Sequence, residues 1–270
     1  MSYRSIILGT ICAAALSAIP LSGALANPVT WSNFHATVGG EYSHSDVTTG
    51  GSFDTYGVDG AASVGFGDSD FAGQANVGYH HIDASGFNLN IYNVGGSLFW
   101  APTGGALDGR AGATFNYDHF NTPLGNINVK NYGGFAQWYL NHTFTFSAKG
   151  GGFDASYNID GYYLGAQLKA YLCPNLAASG SIDHVKLNNF STANETDYTF
   201  EGEWMFSQEM PVSVYAGYVS TDLSGTSSNL NTYLIGLRFY LDGNGATDLR
   251  DRQRSGTLGW AASFNPRSVF

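Results

Sequence analysis

The stretch Tyr233-Leu234-Ile235-Gly236-Leu237-Arg238-Phe239-Tyr240-Leu241 decides the fold. Successive side chains of an extended strand point to opposite faces, so residues two apart share a face. Tyr233, Ile235, Leu237, Phe239 and Leu241 then form one wholly apolar face. Thr232, Leu234, Gly236, Arg238 and Tyr240 form the other, which carries a charge. An arginine facing lipid costs ~2–4 kcal/mol at the bilayer midplane. The uncharged face therefore suits hydrocarbon, and Arg238 is assigned to an interior.

The same alternation recurs backward along the chain. In 197–207, Tyr198, Phe200, Gly202, Trp204 and Phe206 share a face, with Glu201 and Glu203 opposite. In 71–83, Phe71, Gly73, Ala75, Val77 and Tyr79 oppose Gln74, Asn76 and His80. About twelve strands follow, near 33–44, 54–66, 71–83, 89–101, 107–119, 129–140, 143–154, 159–172, 176–187, 197–207, 212–222 and 231–241. The register of 176–187 is the least regular. Each segment is long enough for the ~9–11 residues of a tilted membrane strand. The connectors read as alternating in length. Short ones lie at 67–70, 141–142, 173–175 and 208–211, with longer polar ones at 46–51, 84–88, 120–128, 188–196 and 223–230. Pro102 to Ala106 and Ala155 to Asn158 fit this alternation badly. Short periplasmic turns and longer external loops are the barrel pattern, and an even strand count puts both termini in the periplasm.

The amino terminus assigns the compartment. Arg4 precedes an apolar run from Ile6 to Leu16, then Pro20 and small residues ending in Ala24-Leu25-Ala26. That is a signal peptide, with the mature chain expected from Asn27. Beyond it no apolar run approaches the ~20 residues of a membrane helix. A membrane protein without such a helix must be a closed barrel, because unpaired backbone groups in lipid are too costly. Composition agrees: 36 Gly, 17 Tyr, 18 Phe and 5 Trp accompany only 12% charged residues, which favours strands over helices. Outward aromatics at Tyr42, Phe66, Phe71, Tyr79, Trp100, Tyr117, Tyr132, Trp138, Tyr162, Tyr198 and Phe206 are placed for two headgroup girdles. A soluble sandwich would put those rings inside and its charges outside.

The chain resembles the porin-like outer-membrane β-barrel proteins of Gram-negative bacteria. Residues 234–241 resemble the insertion signal read by barrel-assembly machinery, polar-x-Gly-x-x-apolar-x-apolar. Gly236, Phe239 and Leu241 match it, whereas Leu234 stands at the polar position. In such families the signal usually ends the chain, but here 29 residues follow Leu241. The resemblance implies an all-β, closed, antiparallel up-and-down transmembrane barrel in the cell outer membrane. It implies outer-membrane lipid and the assembly machinery as partners. The expected organisation is signal peptide 1–26, barrel 27–241 and a basic, Gly-containing periplasmic tail 242–270. The tail holds Arg250, Arg252, Arg254 and Arg267. It is read as a disordered extension, a plug for the acidic lumen, or a contact for anionic envelope polymers. Thr257 to Phe264 could add a strand.

Charge and motif exclude several functions. Without the signal peptide the chain has 10 Lys and Arg against 21 Asp and Glu. Binding nucleic acid requires cations that neutralise phosphates, so no nucleic-acid partner is expected. Cys173 is the one cysteine left after processing, and is expected to be a buried thiol. G-x-S-x-G, H-E-x-x-H and phosphate-loop patterns are absent, as are the motifs of barrel phospholipases and lipid A deacylases. No catalytic, cofactor or metal site is assigned, and the chain is read as not an enzyme. The candidate pore-lining residues are Glu41, Asp59, Arg110, Asp118, Lys149, Lys169, Glu201, Glu203 and Arg238. Inward Gly39, Gly57, Gly78, Gly112, Gly133, Gly161 and Gly217 are expected to leave room for water. Inward Phe99, Phe135, Tyr163, Tyr171 and Tyr240 oppose that. The expected function is passive diffusion of small polar or cationic solutes. The alternative is a non-conducting structural or surface-interacting barrel. The solute and the oligomeric state are left open.

Overall fold

The strands read from alternation join edge to edge into a ring. The computed structural model describes residues 34–84, 87–102, 108–123, 125–188, 194–207, 211–224, 229–242 and 248–262. The expected signal peptide therefore lies outside the described residues. The strands are β1 (Phe34–Val47), β2 (Ser52–Gly65), β3 (Phe71–Ala84), β4 (Phe87–Trp100), β5 (Gly109–Thr122) and β6 (Gly125–Tyr139). They continue with β7 (Phe144–Ala155), β8 (Ile159–Cys173), β9 (Leu176–Leu187), β10 (Asn194–Met205), β11 (Val212–Ser224) and β12 (Asn229–Asp242). Each pairs antiparallel with its sequence neighbours, and β1 pairs with β12 from His35↔Asp242 to Val47↔Leu230, which closes the barrel.

The two faces sort as the alternation requires. Val94, Leu98, Phe115, Leu164, Phe200, Ile235 and Phe239 are exposed on the outside. Water would penalise that apolar belt and hydrocarbon accepts it. Tyr42, Phe71, Trp100, Tyr132, Trp138, Tyr162, Tyr198 and Phe206 are also exposed. Of these, Phe71, Trp100, Trp138, Tyr162 and Phe206 lie towards the strand ends, where amphipathic rings meet headgroups, and Tyr42, Tyr132 and Tyr198 lie nearer mid-strand.

The connectors depart from the expected alternation. At the end away from the termini, strand bounds leave only 48–51, 85–86, 123–124, 156–158, 188–193 and 225–228 between strands. The loops read at 84–88 and 120–128 are mostly strand, and strand also takes the ends of 46–51, 188–196 and 223–230. Outward polar side chains bond across most of these hairpins and carry the ladder onward. Tyr42 OH donates to Asp54 Oδ1 (2.9 Å), and His44 Nδ1 lies 2.7 Å from the same oxygen. Asn90 holds Tyr79 and His81 in the same way, and Asn128 holds Tyr117 and His119. Above the lipid both faces of a strand tolerate polar residues, so period 2 fades while backbone pairing continues. Ala155 to Asn158, which fitted the loop pattern badly, is a single 3₁₀ turn with Tyr157 at φ 67° and Asn158 at φ 59°. Cys173 is a further correction: it is exposed, at the end of β8 beside a register shift between Tyr171 and Cys173.

The face assignment is open to a paired test. Ile235→Arg places a charge midway along the outer face of β12, and should cost ~2–4 kcal/mol of folding free energy. Thr199→Arg, on the inner wall, should cost less than half as much. Urea titration of vesicle-refolded protein reads both, and equal costs would contradict the assignment.

Candidate functional site: the lumen and its plug

All nine candidate lining residues stand on the inward parity of their strands. Glu41, Asp59, Arg110, Asp118, Lys149, Lys169, Glu201 and Arg238 border one cavity of about 480 Å³. Glu203 does not reach its surface. It is 2% exposed and accepts from Ser213 Oγ (2.5 Å), Tyr240 OH (2.5 Å), Arg238 Nη1 (2.6 Å) and Gln253 Nε2 (2.8 Å). Four donors hold this buried carboxylate, so its role is to fix the wall.

The inward glycines make room for side chains more than for water. A Cβ on Gly133 would lie 2.3 Å from the Tyr163 hydroxyl. One on Gly236, the glycine of the insertion-like signal, would lie 2.4 Å from the Tyr215 ring. Tyr215 crosses Gly236 to donate to Glu41 Oε2 (3.3 Å). Towards the hairpin end Leu89, Phe120, Val129, Phe153, Tyr163 and Val185 pack into a buried apolar cluster along one arc of the wall. Nearer mid-barrel a chain of amides runs across four strands. Gln74 donates to Asn76, Asn76 to Asn116, Asn116 to Asn131 and Asn131 to Asp118, with distances of 2.9, 2.9, 3.0 and 3.0 Å. Asn93 completes it with a 2.6 Å bond to Asp118. Sequence reasoning singled out charges and passed over this network. Its signal was inward-parity Asn and Gln on neighbouring strands.

The tail supplies the other major feature. Of the readings given above, residues 248–262 take the plug, not the disordered periplasmic extension. Asp248 caps the short helix α1 (Leu249–Ser255) by accepting from the Asp251 amide (2.7 Å). The Leu249 amide donates to Pro174 O (2.8 Å), which ties the helix to the β8–β9 turn. Leu249 is fully buried with Tyr171, Ala177, Met205 and Tyr240. Beyond Gly256 the chain reaches farther along the lumen and ends its described course in a 3₁₀ turn, Gly259–Ala262, not in a strand. Leu258, Ala261 and Ala262 pack on Phe99 and Phe135.

The attraction runs both ways: wall cations meet plug carbonyls, and a plug arginine meets wall carbonyls. Arg110, 5% exposed, donates to Gly256 O (2.7 Å), Gln253 O (3.0 Å) and Gln137 Oε1 (3.1 Å). Lys169 donates to Gln253 Oε1 (2.9 Å). Lys149 Nζ sits 4.1 Å from the Trp260 ring centre and 3.1 Å from Asp183 Oδ1, while Trp260 Nε1 donates to Asp183 Oδ2 (3.1 Å). Of the plug's own arginines, Arg250 pairs with Asp248 and Asp251 inside the plug. Arg254 lies over Tyr139 and Tyr171 and donates to Thr145 Oγ1 and the carbonyls of Asn141 and Phe144.

No family model and no curated protein sequence matches the chain. Solved structures do match. The COG4313 outer membrane channel from Pseudomonas putida F1 superposes with a TM-score of 0.62 at 10% identity, covering 80% of this chain and 97% of that one. The beta domain of the Bordetella autotransporter BrkA gives 0.51 at 11% identity, covering 77% and 100%. The fold is that of an outer-membrane β-barrel. Among the described residues no group of three or more His, Cys, Asp or Glu side chains is placed to hold a metal ion.

Arg110 is the plug's main tether from the wall. Arg110→Met keeps much of its length and removes three donated bonds. Trypsin cleavage at Arg252, which is buried in the plug, should then accelerate at least tenfold in detergent-refolded protein. Heat-modified gel migration should stay unchanged, because the barrel wall is intact. Cleavage at the parent rate would show that the plug does not depend on this tether.

Proposed function

We propose that this protein is an outer-membrane pore for passive diffusion of small polar or cationic solutes, with its C-terminal plug restricting passage. One observation carries the reading: a closed wall with a lipid-compatible exterior surrounds a cavity lined by ionisable side chains. Hydrocarbon-facing strands need no such lining, whereas a water-filled path does. Acidic groups bordering a path favour cations. The wall's bases are engaged elsewhere: Lys149 with Asp183, Arg238 with Glu203, Arg110 and Lys169 with the plug. Glu41 and Glu201 have no basic group within 4.0 Å among the described residues. The Pseudomonas putida protein of the same fold is called a channel, which is in keeping with this reading.

A second reading, a barrel that does not conduct, is favoured by the plug itself. Residues 248–262 and the apolar cluster on one arc of the wall both occupy lumen that a wide pore would leave open.

Planar-bilayer recordings separate the two. The full chain should give small cation-selective conductances, and a chain ending at Asp242 should conduct at least threefold more. Glu41→Gln with Glu201→Gln should move the reversal potential in a salt gradient toward zero. That shift should weaken near 1 M salt, where the screening length falls to ~3 Å. Silence from both the full and the shortened chain would leave the non-conducting barrel. Anion selectivity would overturn the assignment of the lining.

A further inference from the structure

The cavity joins two surfaces of different chemistry. Towards the hairpin end it is bordered by Ile82, Ile91, Phe120, Tyr163 and Val185. Val185, Phe120 and Tyr163 belong to the buried apolar cluster, and Ile82 and Ile91 pack against it. One pleat step farther along the same strands, ~7 Å by strand rise, the lining turns polar. Asp118 follows Phe120, Asp183 follows Val185, Asn93 follows Ile91 and His80 follows Ile82.

The charge on the rest of the lining has one sign to spare. Asp118 is occupied by Asn93 and Asn131, and Asp183 by Lys149 and Trp260. Asp197 accepts from Thr221, and Glu41, Asp59 and Glu201 remain; they share the surroundings of Tyr215 with Arg238, which is paired with Glu203. Glu41 accepts one long bond from Tyr215 OH (3.3 Å), and Asp59 lies 3.1 Å from His80 Nε2. Glu201 lines the cavity with no ion pair among the described residues. A carboxylate in such a place is stabilised by a cation brought to it.

We propose that this cavity is a binding site for a small organic cation, a protonated amine carried on an apolar body. The inference rests on the pore reading above and gives its solute a chemical class. The ammonium group sits among Glu41, Asp59 and Glu201, and the apolar body lies along the Ile91–Phe120–Val185 arc. Each alternative leaves part of the lining unmatched. A bare inorganic cation leaves the apolar arc against water. A neutral hydrocarbon leaves the carboxylates without a counter-charge. An organic anion meets three carboxylates, while Lys149, Lys169, Arg110 and Arg238 are already engaged. The volume of about 480 Å³ lies in the ~300–1,000 Å³ range of small-molecule pockets.

Isothermal titration of the refolded full chain in non-ionic detergent tests the site with phenethylammonium, ethylammonium and phenylacetate. Phenethylammonium should bind at least tenfold tighter than ethylammonium, and phenylacetate should give no binding heat. Glu41→Gln with Glu201→Gln should weaken phenethylammonium at least tenfold. Ile91→Asn should erase most of the difference between the two amines. Gel migration before and after boiling checks that each variant folds. Should the double variant not fold, the three probes and Ile91→Asn decide the matter alone. Comparable binding of phenylacetate, no binding of phenethylammonium, or affinity untouched by the substitutions would each overturn the proposal. Calorimetry reads binding without current, so the outcomes separate. Binding in a barrel that never conducts keeps the site and removes the pore. Conduction without amine binding does the reverse.

Discussion

Lipid offers no partner to a backbone amide, and the rest of the structure depends on that constraint. Each strand must be bonded on both edges, which a row of strands satisfies only by closing. The β1–β12 seam does this along nearly the whole length of both strands. Closure fixes which parity of every strand faces outward. One register therefore decides both where the apolar belt lies and which side chains are enclosed.

Enclosure creates a second problem, because polar groups inside a narrow tube compete for few waters. This barrel answers it largely with side chains. The amide chain from Gln74 to Asp118 and the four donors on Glu203 satisfy groups that face each other across strands. The plug continues the same solution. A helix as short as Leu249–Ser255 leaves its last carbonyls without partners inside the helix. Arg110 of the wall supplies donors to Gln253 O and, just past the helix, Gly256 O.

Much of this was legible in the residues. Strand count, closure and inward parity follow from period 2 and from the cost of putting Arg238 or Glu203 in lipid. The hairpin ends were less legible, because residues such as Asn126 and Asn128 look like loop residues until their cross-strand partners are known. Glu201 and Glu203 look equivalent in sequence, two apart on one face. Only the neighbours separate them: Ser213, Tyr240 and Gln253 converge on one and leave the other at the cavity. The glycines misled for a related reason. A missing side chain says that space is needed, and Tyr163, two strands from Gly133, and Tyr215, one strand from Gly236, are what use it.

The position of the plug in the chain sets an order of events. Residues 248–262 follow the strand that completes the ring, and every wall segment they touch, from Thr37 to Tyr240, belongs to the finished cylinder. The surface they dock on is complete only once β12 has met β1, because Thr37 and Tyr240 both contact the plug. Filling of the lumen then depends on a closed wall. A barrel caught before that step is a wall already sealed against lipid, with its interior still wet.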